Sequence, residues 1–259
     1  MNSPSAAPPY AAPPSDPDSG VARAAPVEVR QRWRVAFRRT ADAPAIPHRE
    51  IADTWLASLL AGDLPLARAQ GTRSRPPLTF AAPLPLGMPA EHELADVFLT
   101  ERLPAWHVRS ALASTAPRGI ELTAVDDVWG GAPALAAALV AAEYRVSSGA
   151  ASRPDSGELT DAAASLLGSP SIPRQRAKGS GTVDYDLRPL LARIDVDGEG
   201  RTIRIRTIFH SERGAGRPEE AVAALGDVLG RGLVAESIVR ERLILADELE
   251  AEPAADAVP

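Results

Sequence analysis

Residues 30–39, RQRWRVAFRR, alternate between two kinds of side chain. Gln31, Trp33, Val35 and Phe37 fall on one face, and Arg30, Arg32, Arg34 and Arg38 on the other. A period of two is the signature of a strand with one face in the core. Such a strand must find a layer to cover its apolar face, and the residues that follow offer one. Ile51, Trp55, Leu56, Leu59 and Leu60 form a helical stripe over 48–61, with Gly62 placed to end it. Residues 64–70 and 77–84 read as extended, and 92–100 as a strand. Pro104 opens a helix to about Thr115, because proline suits the first helical turn, and 119–128 is a further strand.

The rhythm then repeats. A strand at 143–148 precedes a helix near 159–167 that stops at Gly168. Residues 190–197 and 201–210 flank Asp197-Gly198-Glu199-Gly200, a hairpin signal. Pro218 opens a helix to about Gly230, and 234–245 is a last strand. Strand, helix, strand, strand, helix, strand is the order of a ferredoxin-like unit, an antiparallel sheet with two helices on one face. The expectation is an α+β protein with two ferredoxin-like halves, at 28–141 and 142–245, each with an antiparallel sheet. The boundary lies in WGGAPALAAALVAA, residues 129–142, a turn plus a short apolar helix. Residues 1–27 are rich in Pro, Ala and Ser and cannot bury enough apolar surface to offset their ordering entropy, so they are expected to be a disordered tail. Residues 246–259 are an acidic tail.

Charge narrows the chemistry. The net −6 sits mostly in the C-terminal tail, which carries Asp247, Glu248, Glu250, Glu252 and Asp256, while 28–245 is neutral. Every basic residue except Lys178 is arginine. Arginine suits phosphate and carboxylate recognition, although a GC-rich genome would write the same bias. There is no cysteine, which excludes disulfides, thiolate zinc sites, iron–sulfur clusters and a Cys nucleophile. No cofactor is implied by any motif, and no metal site, since His48, His92, His107 and His210 lack ligand spacing. No apolar run approaches the ~20 residues that span a bilayer, and no leader pattern opens the chain. The sequence therefore reads as cytoplasmic, with no membrane partner.

Three groups of residues are candidates for function. The loop Gln70-Gly71-Thr72-Arg73-Ser74-Arg75, just before a strand, could cradle a phosphate or simply connect two strands. Arg32 and Arg34 in the first half, with Arg204 and Arg206 in the second, form basic stripes suited to phosphate contacts without sequence readout. A solvated face with interspersed acids is the plainer alternative. Base-stacking aromatics are missing from these stripes. The third group is a possible polar site, with His48, Glu93, Asp96, Arg188 and Arg217.

The order of short motifs resembles a known family. Arg34-Val35-Ala36-Phe37, Pro47-His48-Arg49-Glu50, the run from Leu64 to Gly71 and the run from Leu78 to Gly87 carry the likeness. Glu93 with Asp96, the run from Val183 to Leu190, and Arg217-Pro218-Glu219-Glu220 extend it, so that it spans about 30–245. The family is the radical-SAM-linked domain of unknown function, here in its stand-alone form. The chain departs from the family pattern at Pro47-His48-Arg49-Glu50, at Thr72 and Arg75, and at Ala90. The resemblance implies an accessory role near radical-SAM or RNA-processing and ribosome-related machinery. Without cysteine, any radical step belongs to another polypeptide. The reading is thus a non-catalytic module that binds RNA or an RNA-bound partner through Arg32, Arg34, Gln70, Gly71, Arg73, Arg75, Arg204 and Arg206. The alternatives are a protein–protein adaptor, and an acid/base enzyme using Glu93 and Asp96 with a histidine.

Overall fold

The computed structural model describes residues 28–67, 77–148, 154–179, 181–210, 212 and 214–251. In chain order the elements are β1 (Gln31–Arg39), α1 (His48–Ala61), β2 (Leu78–Phe80), β3 (Ala90–Leu99), α2 (Ala105–Thr115), β4 (Ile120–Asp127) and α3 (Leu135–Ala138). The second half holds β5 (Leu139–Ser148), α4 (Ser156–Gly168), β6 (Pro173–Lys178), β7 (Gly181–Asp186), β8 (Leu191–Val196), β9 (Thr202–His210), β10 (Gly214–Ala215), α5 (Pro218–Val228), β11 (Ala235–Leu245) and α6 (Ala246–Ala251). The architecture is mixed α+β, built on one large, mostly antiparallel sheet of nine strands. No helix among the described residues is long and apolar enough to cross a membrane.

Each half keeps its own strand order. In the first, β4, β1, β3 and β2 lie side by side, all antiparallel. In the second, the order is β8, β9, β5, β11, again antiparallel throughout. The halves do not hold a sheet each, however. β11 lies beside β3 and meets it in parallel at one register pair, Arg240 with Ala90. An open edge of β3 would leave backbone groups unpaired, and β11 covers part of it.

The alternation of β1 does what its sequence implies. Trp33, Val35 and Phe37 pack under Ile51, Trp55 and Leu59 of α1 and Val108 and Leu112 of α2. The Phe37 and Trp55 rings meet at 4.9 Å in a tilted pair. A second core joins Val146, Ile203 and Ile205 to Leu159 and Leu166 of α4 and Val222 and Leu225 of α5. A third, smaller cluster puts Leu135 of α3 against Ala36, Leu94, Tyr144 and Leu243. The segment between the halves is therefore packed, not a free linker. β5 begins at Leu139, so the division set between 141 and 142 falls inside a strand.

Candidate functional site

The polar residues picked from sequence separate into two buried clusters, because Glu93 and Asp96 sit three apart on β3 and so point to opposite faces. Glu93 is 2% exposed and stands opposite Phe37. Arg240 of β11, 1% exposed, donates to both its oxygens, Nε to Oε1 and Nη2 to Oε2, each at 2.6 Å. Its third nitrogen, Nη1, donates to the Pro83 carbonyl at 3.1 Å, and its backbone N–H to Pro89 O at 3.1 Å. Burial pushes the Glu93 carboxyl up, while Arg240, above all, pulls it back. The same arginine, together with burial, lowers the pKa of His48, burial being the larger cause. Tyr144 also hydrogen-bonds Arg240, and burial raises its phenol. His48 uses Nδ1 to accept the Leu84 N–H at 3.4 Å. It stacks edge-on with Phe80 at 5.0 Å.

On the other face, Asp96 is wholly buried and takes two arginines. Arg32 reaches it through Nε at 2.8 Å and Nη2 at 2.5 Å, and Arg34 through Nε at 3.0 Å. Arg32 also donates to the carbonyls of Ala132 and Pro133, at 2.9 and 2.8 Å, in the segment leading to α3. Arg32 and Arg34, read from sequence as a basic stripe suited to phosphate, are thus both paired with Asp96. Arg32 is 4% exposed, and the acid missing from β1 itself is supplied by the strand next to it.

The second stripe is answered in the same way. Ion pairs run in a line across the sheet: Glu121 to Arg38, Arg38 to Glu91, Glu91 to Arg145, Arg145 to Glu241, and Glu241 to Arg204. Beside it, Glu143 holds Arg206 and Arg242, each at 2.6 Å. Burial pushes the Glu143 carboxyl up, but the bonds and charges of Arg242 and Arg206 outweigh it and leave its pKa below the ordinary value. Charge alternates here, so no strong positive field gathers over this part of the sheet.

Arg188 and Arg217 lie in the second half. Arg188 donates to Leu191 O at 3.0 Å, and Arg217 stands at the residue before α5. No hydrogen bond or ion pair among the described residues links either to His48, Glu93 or Asp96. The expected polar site is thus not brought together. Gln70, Gly71, Thr72, Arg73 and Arg75 lie outside the described residues.

Sequence reasoning passed over a surface at the end of the first half. Trp129 and Trp106 are 80% and 73% exposed, unlike buried Trp33 and Trp55. Trp106, in the first turn of α2, stacks on His107 at 5.5 Å. Arg30, Arg102 and Trp129 border a groove of about 380 Å³ floored by Gln31 and Asp127. Arg109 borders a second hollow beside Trp106. Arg102 and Arg109 are exposed and have no ion pair among the described residues. The signal in the sequence was Trp129-Gly130-Gly131, a large ring next to two glycines in a turn.

Residues 32–218 match a family described as an uncharacterized protein conserved in bacteria, DUF2344. The chain belongs to that family. The match takes in Arg32, Arg34, His48, Glu93, Asp96, Arg188 and Arg217, and stops short of Arg240. The family's description names no activity, and no radical-SAM association comes with it. No curated protein matches the sequence. Among solved structures, the Nop10–Cbf5 complex of the archaeal box H/ACA sRNP is similar at TM-score 0.40 and 10% identity, over 79% of this chain and 46% of that one. A Cbf5–Nop10–Gar1 complex is similar at TM-score 0.42 and 12% identity, over 80% and 48%. The chain spans about half the length of the chains it matches.

Proposed function

We propose that this family member is a non-catalytic accessory module that binds RNA through the exposed end of its first half, in the service of an RNA-processing or radical-SAM protein acting in trans. The observation that carries the reading is a pair of exposed arginines with no ion pair among the described residues, Arg102 beside Trp129 and Arg109 beside Trp106. Single strands are held by such a combination, cations along the backbone and aromatic rings for bases. Elsewhere on the sheet, Arg32, Arg34, Arg204 and Arg206 already face carboxylates, so phosphate would have to displace an ion pair to reach them. An acid/base role for Glu93 and Asp96 is disfavoured for the same reason, because both carboxylates are buried against arginine. The strand orders β4-β1-β3-β2 and β11-β5-β9-β8 support the reading of two ferredoxin-like halves joined edge to edge.

The test is binding of a fluorescein-labelled single-stranded RNA, followed by anisotropy across a salt series. Phosphate contacts release counterions, so affinity should fall steeply with salt. Every phosphate that is no longer neutralised should flatten the slope by about 0.7 on a logarithmic plot, so Arg102→Glu with Arg109→Glu should flatten it by at least ~1.4. Unchanged affinity in that variant, or no binding at low salt, would defeat the proposal and leave a protein–protein adaptor.

A further inference from the structure

We infer that the groove between Trp129 and Arg102 is a nucleotide site, with a base stacked on the indole and a phosphate on Arg30 and Arg102. The inference rests on the RNA-binding reading above and names the part of the RNA that is recognised. The Trp129 indole is 80% exposed, which leaves ring surface open to a base. Its six-membered ring lies against Gly131, where an added Cβ would come within 2.6 Å of ring atoms. Glycine is what lets the ring fold over the turn. The turn itself is closed by the Ala132 N–H donating to Trp129 O at 2.9 Å, and tied to β1 by the Val128 N–H donating to Arg32 O at 2.8 Å.

The floor is equally fixed. The Gln31 side chain donates to Leu103 O at 3.2 Å and to Asp127 Oδ2 at 3.0 Å, and accepts from Leu103 N at 2.9 Å. One side chain thus clamps the start of β1, the end of β4 and the loop before α2. The Asp127 carboxylate gives Gln31 one oxygen and keeps acceptor capacity for an amino group on a base edge. In the same lining, Arg102 has no ion pair among the described residues and Arg30 has a 3.5 Å contact to exposed Glu28, which phosphate can replace; Glu28 and Glu101 border the adjoining hollow. The volume, about 380 Å³, lies within the range of small-molecule sites. A flat ring and a carboxylate acceptor suit the base, and two guanidinium groups suit the phosphate.

The test uses the full chain and three probes: a labelled single-stranded RNA of about ten nucleotides, the same RNA annealed to its complement, and a free nucleoside monophosphate. Trp129→Ala should weaken single-strand binding about 5- to 150-fold, the range for removal of one base stack. Trp129→Phe should keep most of the affinity. Gly131→Ala should shift the indole and weaken single-strand binding by less than Trp129→Ala, an effect a charge-only surface would not show. Duplex should bind more weakly than the single strand, since its bases stay stacked. Quenching of tryptophan fluorescence by the RNA should fall in Trp129→Phe, with exposed Trp106 supplying what is left. Equal binding of single strands by the wild type and Trp129→Ala would overturn the stacking site while leaving RNA binding intact. Absence of binding to any RNA would overturn both. A monophosphate that binds as tightly as the oligonucleotide would keep the site but assign it to a free nucleotide.

Discussion

Removing Arg240 should expose how strongly the two halves depend on one ion pair. In an Arg240→Leu variant the Glu93 carboxyl stays 2% exposed with neither of its 2.6 Å donors, and Pro83 O loses a 3.1 Å bond. Breaking a buried pair from one side costs about 3–5 kcal/mol, a factor of roughly 10²·² to 10³·⁷ in the folded-to-unfolded ratio. Total stability is ordinarily ~5–15 kcal/mol, so urea denaturation at neutral pH should show a large drop in midpoint. The sign of the pH effect can be worked out. Native Glu93 without Arg240 keeps the burial that raises its pKa and loses the charge that lowers it. The native state then binds a proton that the unfolded chain releases above the ordinary carboxyl value of 4.5. Stability of the variant should therefore recover as pH falls toward that value. Glu93→Leu with Arg240→Leu should recover most of the loss at any pH, because an apolar pair leaves no stranded charge. A single variant that loses less than ~1 kcal/mol, or a double variant no better than the single, would refute the claim that desolvated charge dominates this seam.

Three further outcomes are expected. Gly119, at φ +73, has Ala43 N and Cα 2.4 Å from the place of a Cβ, so Gly119→Ala should cost at least ~2 kcal/mol in thermal unfolding. Asp96→Ala strands Arg32 against the Ala132 and Pro133 carbonyls, and chemical denaturation should show a loss of about 3 kcal/mol or more. His48 is held below its ordinary 6.5, so the unfolded chain takes up a proton first as pH falls through that value, and stability should decline there; His48→Gln should flatten that part of a stability–pH curve.

Much of this fold is legible in the sequence because its signals are local. Pro47 and Gly62 bracket α1, and Ile51, Trp55 and Leu59 recur every fourth residue. Pro218 opens α5, and Gly200, at φ +65, closes the turn between β8 and β9. The ribbon of β6 and β7 escaped notice because it is mostly polar. Gln175 pairs with Asp184, Arg176 lies over Tyr185, and the short alternation of Val183 and Tyr185 in β7 has no apolar counterpart in β6. The run of alanines before Tyr144 hid the start of β5, and the acidic residues after Leu245 hid α6. The site was harder for a different reason. Whether Arg34 is free depends on Asp96, 62 positions away, and that depends on register. Trp129 is aromatic in sequence like Trp33, and only the turn that holds it says which one faces water.

The position of β11 in the sheet has a consequence for biosynthesis. It is the last strand among the described residues, yet it sits in the middle of the sheet, between β5 and β3. β4 ends at Asp127 and β11 starts at Ala235, so 107 residues separate the completion of the first half from the arrival of the strand that covers it. At a translation rate of ~5–20 residues per second, that interval lasts roughly 5–20 s. Throughout it, the part of β3 near Ala90 presents an unpaired backbone, and Glu93 waits without Arg240. A ribosome that stalls in this window displays a nascent first half with an open strand edge. Chaperone occupancy on translating ribosomes should therefore peak over these codons.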